Sequence, residues 1–191
     1  MATEPLPRLS PDEYLAHERQ ALTKSEYLNG ELLAMTGASR RHNLIVTNLV
    51  AALHAPLRGQ GCEIYANDMR VRVPATDSYL YPDLVIACGE PRFEDAELDT
   101  LLNPILLIEV LSRTTQRYDR WDKFAAYRTL PSLAEYLLVA QDRPHVEQFI
   151  RQKTGGWLLE ETEDLDATIQ LSSVSSSLRL SAIYDRALDF R

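Results

Sequence analysis

Ile105-Leu106-Leu107-Ile108-Glu109-Val110-Leu111 is the stretch on which the fold turns. Glu109 apart, it is apolar on both alternating faces, the pattern of a strand covered on both sides. A helical pattern follows over 116–130 and stops near Pro131, and residues 135–140 read as another strand. Strand, helix and strand in that order predict a right-handed βαβ unit with two parallel strands.

Working outward, Ser10-Pro11-Asp12-Glu13 predicts a helix start. Serine caps, proline fits the first position and Glu13 closes a capping box, with the helix running to about Leu22. Asn29-Gly30, between the apolar residues of 27–33, predicts a tight hairpin. From Ser39 to Arg58 the spacing of Leu44, Ile45, Leu49, Ala52 and Leu53 suits an amphipathic helix ended by Gly59 and Gly61. Strands are expected at 62–66, at 68–74 with its alternating Met69-Arg70-Val71-Arg72-Val73, and at 84–88. Beyond the βαβ unit, Asp142-Arg143-Pro144 turns into a strand at 145–151, and Gly155-Gly156 turns into Trp157-Leu158-Leu159. The serine-rich stretch 172–177 reads as a solvated loop, followed by a short C-terminal helix. The whole predicts an α/β fold with a mixed β-sheet flanked by helices, in a single domain over 1–191.

Composition narrows the functional classes. Of 191 residues, 45% are apolar and 25% charged, as in ordinary globular proteins. No run approaches the roughly 18 apolar residues of a membrane helix. The start, MATEPLPRLSPDEY, has neither a basic patch nor an apolar run, so the expectation is a cytoplasmic protein without a membrane partner. Cys62 and Cys88 are too few for a disulfide framework or a four-ligand zinc site and are expected to be free, buried thiols. A net charge of −8 opposes indiscriminate attraction to nucleic acid. Yet five acids crowd into 90–99 and five more into 160–166, which leaves room for a basic face elsewhere. The second acidic run reads as a solvated hairpin.

Glu109 is the anomaly, because burying a carboxylate costs several kcal/mol per ion. An ordinary ion pair with an arginine would offset that cost. So would a bound cation at a strand end. Asp83, entering the apolar run Leu84-Val85-Ile86-Ala87, supplies a second carboxylate, and two such acids repel unless something positive lies between them. Carboxylate oxygens suit Mg²⁺ or Mn²⁺, which polarise phosphodiesters and activate water. On the following helix Asp119, Lys123 and Tyr127 fall at i, i+4 and i+8, with Arg113, Arg117, Arg120 and Arg128 around them. Taken alone, Asp119 and Lys123 read as a surface ion pair. There is no phosphate-cradling GxxxxGK[ST] loop, no HExxH and no GxSxG elbow.

The segments Glu26-Tyr27-Leu28-Asn29-Gly30-Glu31, Thr36-Gly37 with His42, Tyr81-Pro82-Asp83, and Glu109-Val110-Leu111-Ser112 with Thr114, Tyr118-Asp119-Arg120, Lys123 and Tyr127 resemble the Uma-type restriction endonucleases. That family is itself similar to the PD-(D/E)XK nuclease superfamily. The resemblance spans about residues 10–152 and implies a restriction-endonuclease-like fold with a divalent-metal phosphodiesterase centre. It implies Asp83 and Glu109 as metal-binding acids, Glu31 as an N-terminal acid completing the shell, and the Val110 carbonyl as a further ligand. His42, Asp119 and Tyr127 fall at supporting positions. Where the superfamily places lysine two residues after the acid, this chain has Leu111, and Lys123 is the substitute that would orient water or stabilise transition-state charge. Arg40, Arg41, Arg113, Arg117 and Arg120 are candidates for backbone phosphates. The expectation is an Mg²⁺- or Mn²⁺-dependent endonuclease acting on DNA as a homodimer. The alternatives are a nuclease-fold binding or regulatory module without activity, which Leu111 favours, and a metal phosphodiesterase acting on RNA.

Overall fold

Ser10 opens α1 (Pro11–Glu18) as a reciprocal cap: its hydroxyl accepts from the Glu13 backbone N–H, and the Glu13 carboxylate accepts from the Ser10 N–H at 2.7 Å. These contacts belong to a computed structural model that describes residues 9–188. Residues 1–8, part of the stretch from which no leader is expected, and residues 189–191 lie outside the described residues. α1 stops four residues short of the expected Leu22. The Arg19 side chain turns to Asp95 and Asp99, and Leu22 is fully exposed, so no apolar contact holds another turn. Asn29 and Gly30 both take positive φ, as a two-residue hairpin turn demands, and join β1 (Ser25–Leu28) to β2 (Glu31–Ala34). α2 (Arg40–Arg58) is capped by Ser39 and buries Ile45, Val46, Leu49, Leu53 and Leu57 along one stripe. Each of those side chains contributes about 1.5–3 kcal/mol of burial.

The expected strands follow as β3 (Cys62–Ala66), β4 (Arg70–Val73), β6 (Leu84–Cys88) and β8 (Leu106–Leu111), joined by two that the sequence did not announce, β5 (Ser78–Leu80) and a two-residue β7 (Thr100–Leu101). The crossover helix begins as α3 (Gln116–Tyr118), widens into a π-helical turn over Asp119–Lys123 and ends as α4 (Phe124–Tyr127). It delivers the chain to β9 (Glu135–Ala140), which lies parallel to β8 with Glu109 beside Leu138. β10 (Val146–Arg151) and β11 (Trp157–Thr162) complete a six-stranded sheet in the order β11-β10-β9-β8-β6-β3.

Alternation along β8 divides the core. Leu106, Ile108 and Val110 face α2, whereas Leu107 and Leu111 face Tyr127 and a second sheet. That sheet, ordered β2-β1-β5-β4-β7, contributes Val71, Val73, Leu80 and Leu101. The mixed α/β architecture is as expected, but with two sheets sharing one core layer. Glu109 points into that shared layer.

Two readings are corrected. The serine stretch 172–177 is not a loop: Ser172–Val174 forms a 3-10 turn, and β13 (Ser176–Arg179) pairs with β12 (Thr168–Leu171) ahead of α5 (Leu180–Ile183). Leu171, Val174 and Leu178 are buried against α2 and outweigh the serines between them. Cys62 and Cys88 are not free thiols but a disulfide. β3 and β6 pair with these two residues directly opposite each other, their Cα atoms 4.0 Å apart. That separation is within bonding reach for a non-hydrogen-bonded cross-strand pair.

Candidate active site

β6 and β8 run antiparallel with Leu84 opposite Ile108, so the same register carried one residue further sets Asp83 opposite Glu109. The contacts agree: Asp83 Oδ2 accepts the Val110 backbone N–H at 2.7 Å and bonds His42 Nε2 at 3.1 Å. His42 arrives from the first turn of α2, held there by the Ser39 cap. Asp83 and His42 are half-buried, at the mouth of the site.

Behind them lies a buried charge cluster. Glu109 Oε1 accepts from Lys123 Nζ at 3.0 Å and from the Tyr127 hydroxyl at 3.2 Å. Lys123 Nζ also lies 2.8 Å from Glu26 Oε1 and 3.6 Å from Asp119 Oδ1. The four side chains are only 4–6% exposed. Both Asp119 and Lys123 come from the π turn, which faces them inward together. Such turns recur at functional sites. Glu26 comes from β1 and also accepts the Tyr81 N–H at 2.9 Å. The Tyr118 ring lies under the Lys123 ammonium.

One ammonium among three carboxylates, with Asp83 in electrostatic reach, sets the protonation tendencies. Burial pushes the Glu109 carboxyl well above its usual range. Lys123 opposes this, while Asp119, Asp83 and Glu26 reinforce it. Asp119 is raised in the same way, with Lys123 and Thr115 opposing. Burial alone would lower Lys123, yet the summed attraction of Glu109, Glu26 and Asp119 holds it well above its ordinary value. The lysine therefore stays charged, and the acids around it are under-compensated.

Past the mouth, the C-terminal ends of β8 and β9 and the N-terminus of α2 enclose a cleft of about 700 Å³. Arg40, Arg41, Arg113, Arg120 and Arg143 line it, with Leu111 and Ser112 on its floor. Such crevices beyond strand C-termini are where open α/β sheets bind ligands. The first turn of α2 carries two arginines and no acid.

The sequence-derived residues distribute unevenly. Asp83, Glu109, Lys123, His42, Asp119 and Tyr127 come together. Val110 contributes its N–H to Asp83, and no contact of its carbonyl bears on the expected ligand role. Leu111 is buried, and Lys123 rather than this position brings an amine to Glu109. Glu31 stands exposed beside the hairpin turn on edge strand β2, and Glu26 is the N-terminal acid that reaches the cluster. Four of the five candidate arginines line the cleft; Arg117 is exposed outside it. Arg120 is held by Glu147 at 2.6 Å and serves packing as well as charge. Arg143 went unrecognised, although its turn directly after the second parallel strand marks it as a residue of this rim. Among the described residues no group of three or more His, Cys, Asp or Glu side chains is spaced to hold a metal ion. The three-acid shell of Glu31, Asp83 and Glu109 does not assemble. Asp83 and Glu109 remain as a facing pair of hard oxygen donors, which fits a magnesium ion that takes one or two carboxylates and otherwise keeps water.

A family model described as "Uma2: Putative restriction endonuclease" matches residues 11–182, thirty residues beyond the expected limit of the resemblance. Two proteins of Synechocystis sp. are similar over most of their length. One, sll1609, is 38% identical over 164 residues, covering 86% of this chain and 93% of its own; the other, slr1290, is 34% identical over 186 residues, covering 97% and 96%. Among solved structures, one described as a putative nuclease belonging to DUF820, from Anabaena variabilis, superposes with a TM-score of 0.77 at 16% identity, covering 94% of this chain and 99% of that one. That likeness concerns the fold.

Proposed function

The chain belongs to the Uma2 family, and on that premise we propose that it is a divalent-metal-dependent endonuclease that hydrolyses DNA phosphodiester bonds. The observation that carries the proposal is the Asp83–Glu109 pair across β6 and β8, with Lys123 on Glu109 and an arginine-lined cleft alongside. Asp83 and Glu109 are the residues that would hold Mg²⁺ or Mn²⁺, with the Val110 carbonyl as the candidate third donor. When bound, the ion would supply Lewis-acid polarisation of the phosphate and a more acidic water. Val110 and His42 orient the Asp83 carboxylate. Lys123 keeps a fixed positive charge at Glu109, placed to stabilise the negative charge that builds on phosphorus oxygens. Arg40, Arg41, Arg113 and Arg143 draw the backbone phosphates into the cleft, and α2 presents its N-terminal amides there.

Cutting both strands calls for two such centres, and we take the working unit to be a homodimer. Light scattering on a gel-filtered sample tests this, and a monomer at working concentration opposes it. The test of activity is nicking of supercoiled plasmid with Mg²⁺ or Mn²⁺. The parent protein should cut, and Asp83→Asn and Glu109→Gln should not. Persistent cutting by either variant removes it from the centre.

A second reading has its own support. Lys123 is engaged by three acids at once, and Leu111 replaces the usual lysine. A nuclease-fold module that binds DNA without cutting it would tolerate both. Retained DNA binding with no cleavage in either metal favours this module.

A further inference from the structure

The π turn that sends Asp119 and Lys123 inward sends Trp121 outward. Trp121 is 69% exposed, the one aromatic among the exposed large apolar side chains of the described residues. The other tryptophan, Trp157, is engaged: Phe124 meets its ring edge-on and the Arg151 guanidinium lies over it. Trp121 has no ring or cation partner among the described residues. Arg113, in the turn before α3, and Arg117, on α3, precede it at four-residue spacing; both are exposed, and neither forms an ion pair with a described residue. Arg113 lines the cleft, so the series Arg113, Arg117 and Trp121 leads out of it, from the turn before α3 into the π turn.

An exposed indole gains little from water, and no described residue covers it. A second copy of the same face would set its two arginines against their own counterparts, which disfavours a symmetric protein contact. Unpaired arginines beside a bare aromatic instead match a phosphate backbone carrying unstacked bases. A duplex keeps its bases stacked within and cannot offer one to the indole.

We propose that Trp121 is a base-stacking platform that, with Arg113 and Arg117, holds a single-stranded nucleic-acid segment beside the Asp83–Glu109 centre. The proposal deepens the nuclease reading by assigning the substrate an unpaired stretch. Stacking tolerates any base, so the site selects strandedness rather than sequence.

The test is binding in EDTA, by anisotropy of a fluorescein-labelled oligo-dT, an oligo-U of equal length and a matched duplex. Trp121→Ala should weaken oligo-dT binding about tenfold, leave the duplex within about twofold, and Trp121→Phe should recover most of the loss. Weakening of oligo-U alone, or of both single strands, supports the platform and identifies the polymer. In Trp157→Phe protein, which keeps Trp121 as the sole tryptophan, oligo-dT should quench the fluorescence. Unchanged single-strand affinity in Trp121→Ala, an equal loss on the duplex, or Trp121-dependent self-association overturns the platform. Absence of metal-dependent cleavage, with these binding effects intact, would sink the nuclease reading and leave the platform standing.

Discussion

Two charged clusters flank the second sheet, and they are built on opposite principles. At the surface, Arg19 grips Asp99 through two bonds of 2.9 Å and Asp95 at 2.8 Å, while the buried Arg70 pairs with Asp99 from the other side. Two cations meet two anions there. In the interior, Lys123 alone meets Glu26, Glu109 and Asp119. The balanced set holds Asp99 well below the usual carboxylate range, chiefly through Arg19. The unbalanced set drives Glu109 and Asp119 upward. Balance is what a purely structural cluster needs; a buried excess of one sign, with its upshifted acids, is the kind of place where functional sites concentrate.

Removing the cation from the unbalanced cluster should have the largest effect. Lys123→Met leaves three acids facing one another and should cost about 3–5 kcal/mol in urea unfolding at neutral pH. Adding Glu26→Gln should return a sizeable part of that stability. If the single variant is as stable as the parent, the cluster is less charged than its geometry implies. The restored double variant separates structure from chemistry: its plasmid nicking should stay about a hundredfold below the parent, the scale of one lost electrostatic contact in a transition state. Recovery of the rate together with the stability would make Lys123 structural only.

The balanced cluster should respond weakly and with an acid signature. Asp99→Asn should cost about 1 kcal/mol, since the carboxylate is partly solvated and screened. Because Asp99 is lowered in the fold, that contribution is complete above its unfolded value near 4 and fades as pH falls below it. Parent and variant stabilities should therefore converge in acid, with nicking unaffected at neutral pH. Smallest of all, Arg113→Ala and Arg117→Ala should each weaken DNA binding a few-fold and reduce the slope of log affinity against log salt by about one. Arg120→Ala, whose side chain is bound to Glu147, should lose stability as well as affinity.

The contrast also explains what the sequence made legible. Local signals survived folding: the Ser10–Glu13 box, the Asn29-Gly30 turn, the stripe of α2 and the βαβ unit all depend on neighbours a few residues apart. Glu109 stood out because a charge within an apolar strand is conspicuous before any tertiary contact is known. Glu26 did not. It sits in a four-residue strand beside Ser25 and reads as a surface residue until the second sheet closes onto the helix and brings it to Lys123. Glu31, drawn from family resemblance, shares that hairpin but lies beside its exposed turn. β7 has two residues and no period to detect, and β13 is masked by serines whose apolar neighbours alone are buried. The cystine depends on the register of β3 against β6, which no spacing in the chain encodes.

Titration calorimetry with Mn²⁺ on the full chain and on Glu109→Gln tests the centre most directly. The account predicts one ion bound per chain by the parent and none by the variant. No binding by the parent, or equal binding by both proteins, would contradict it.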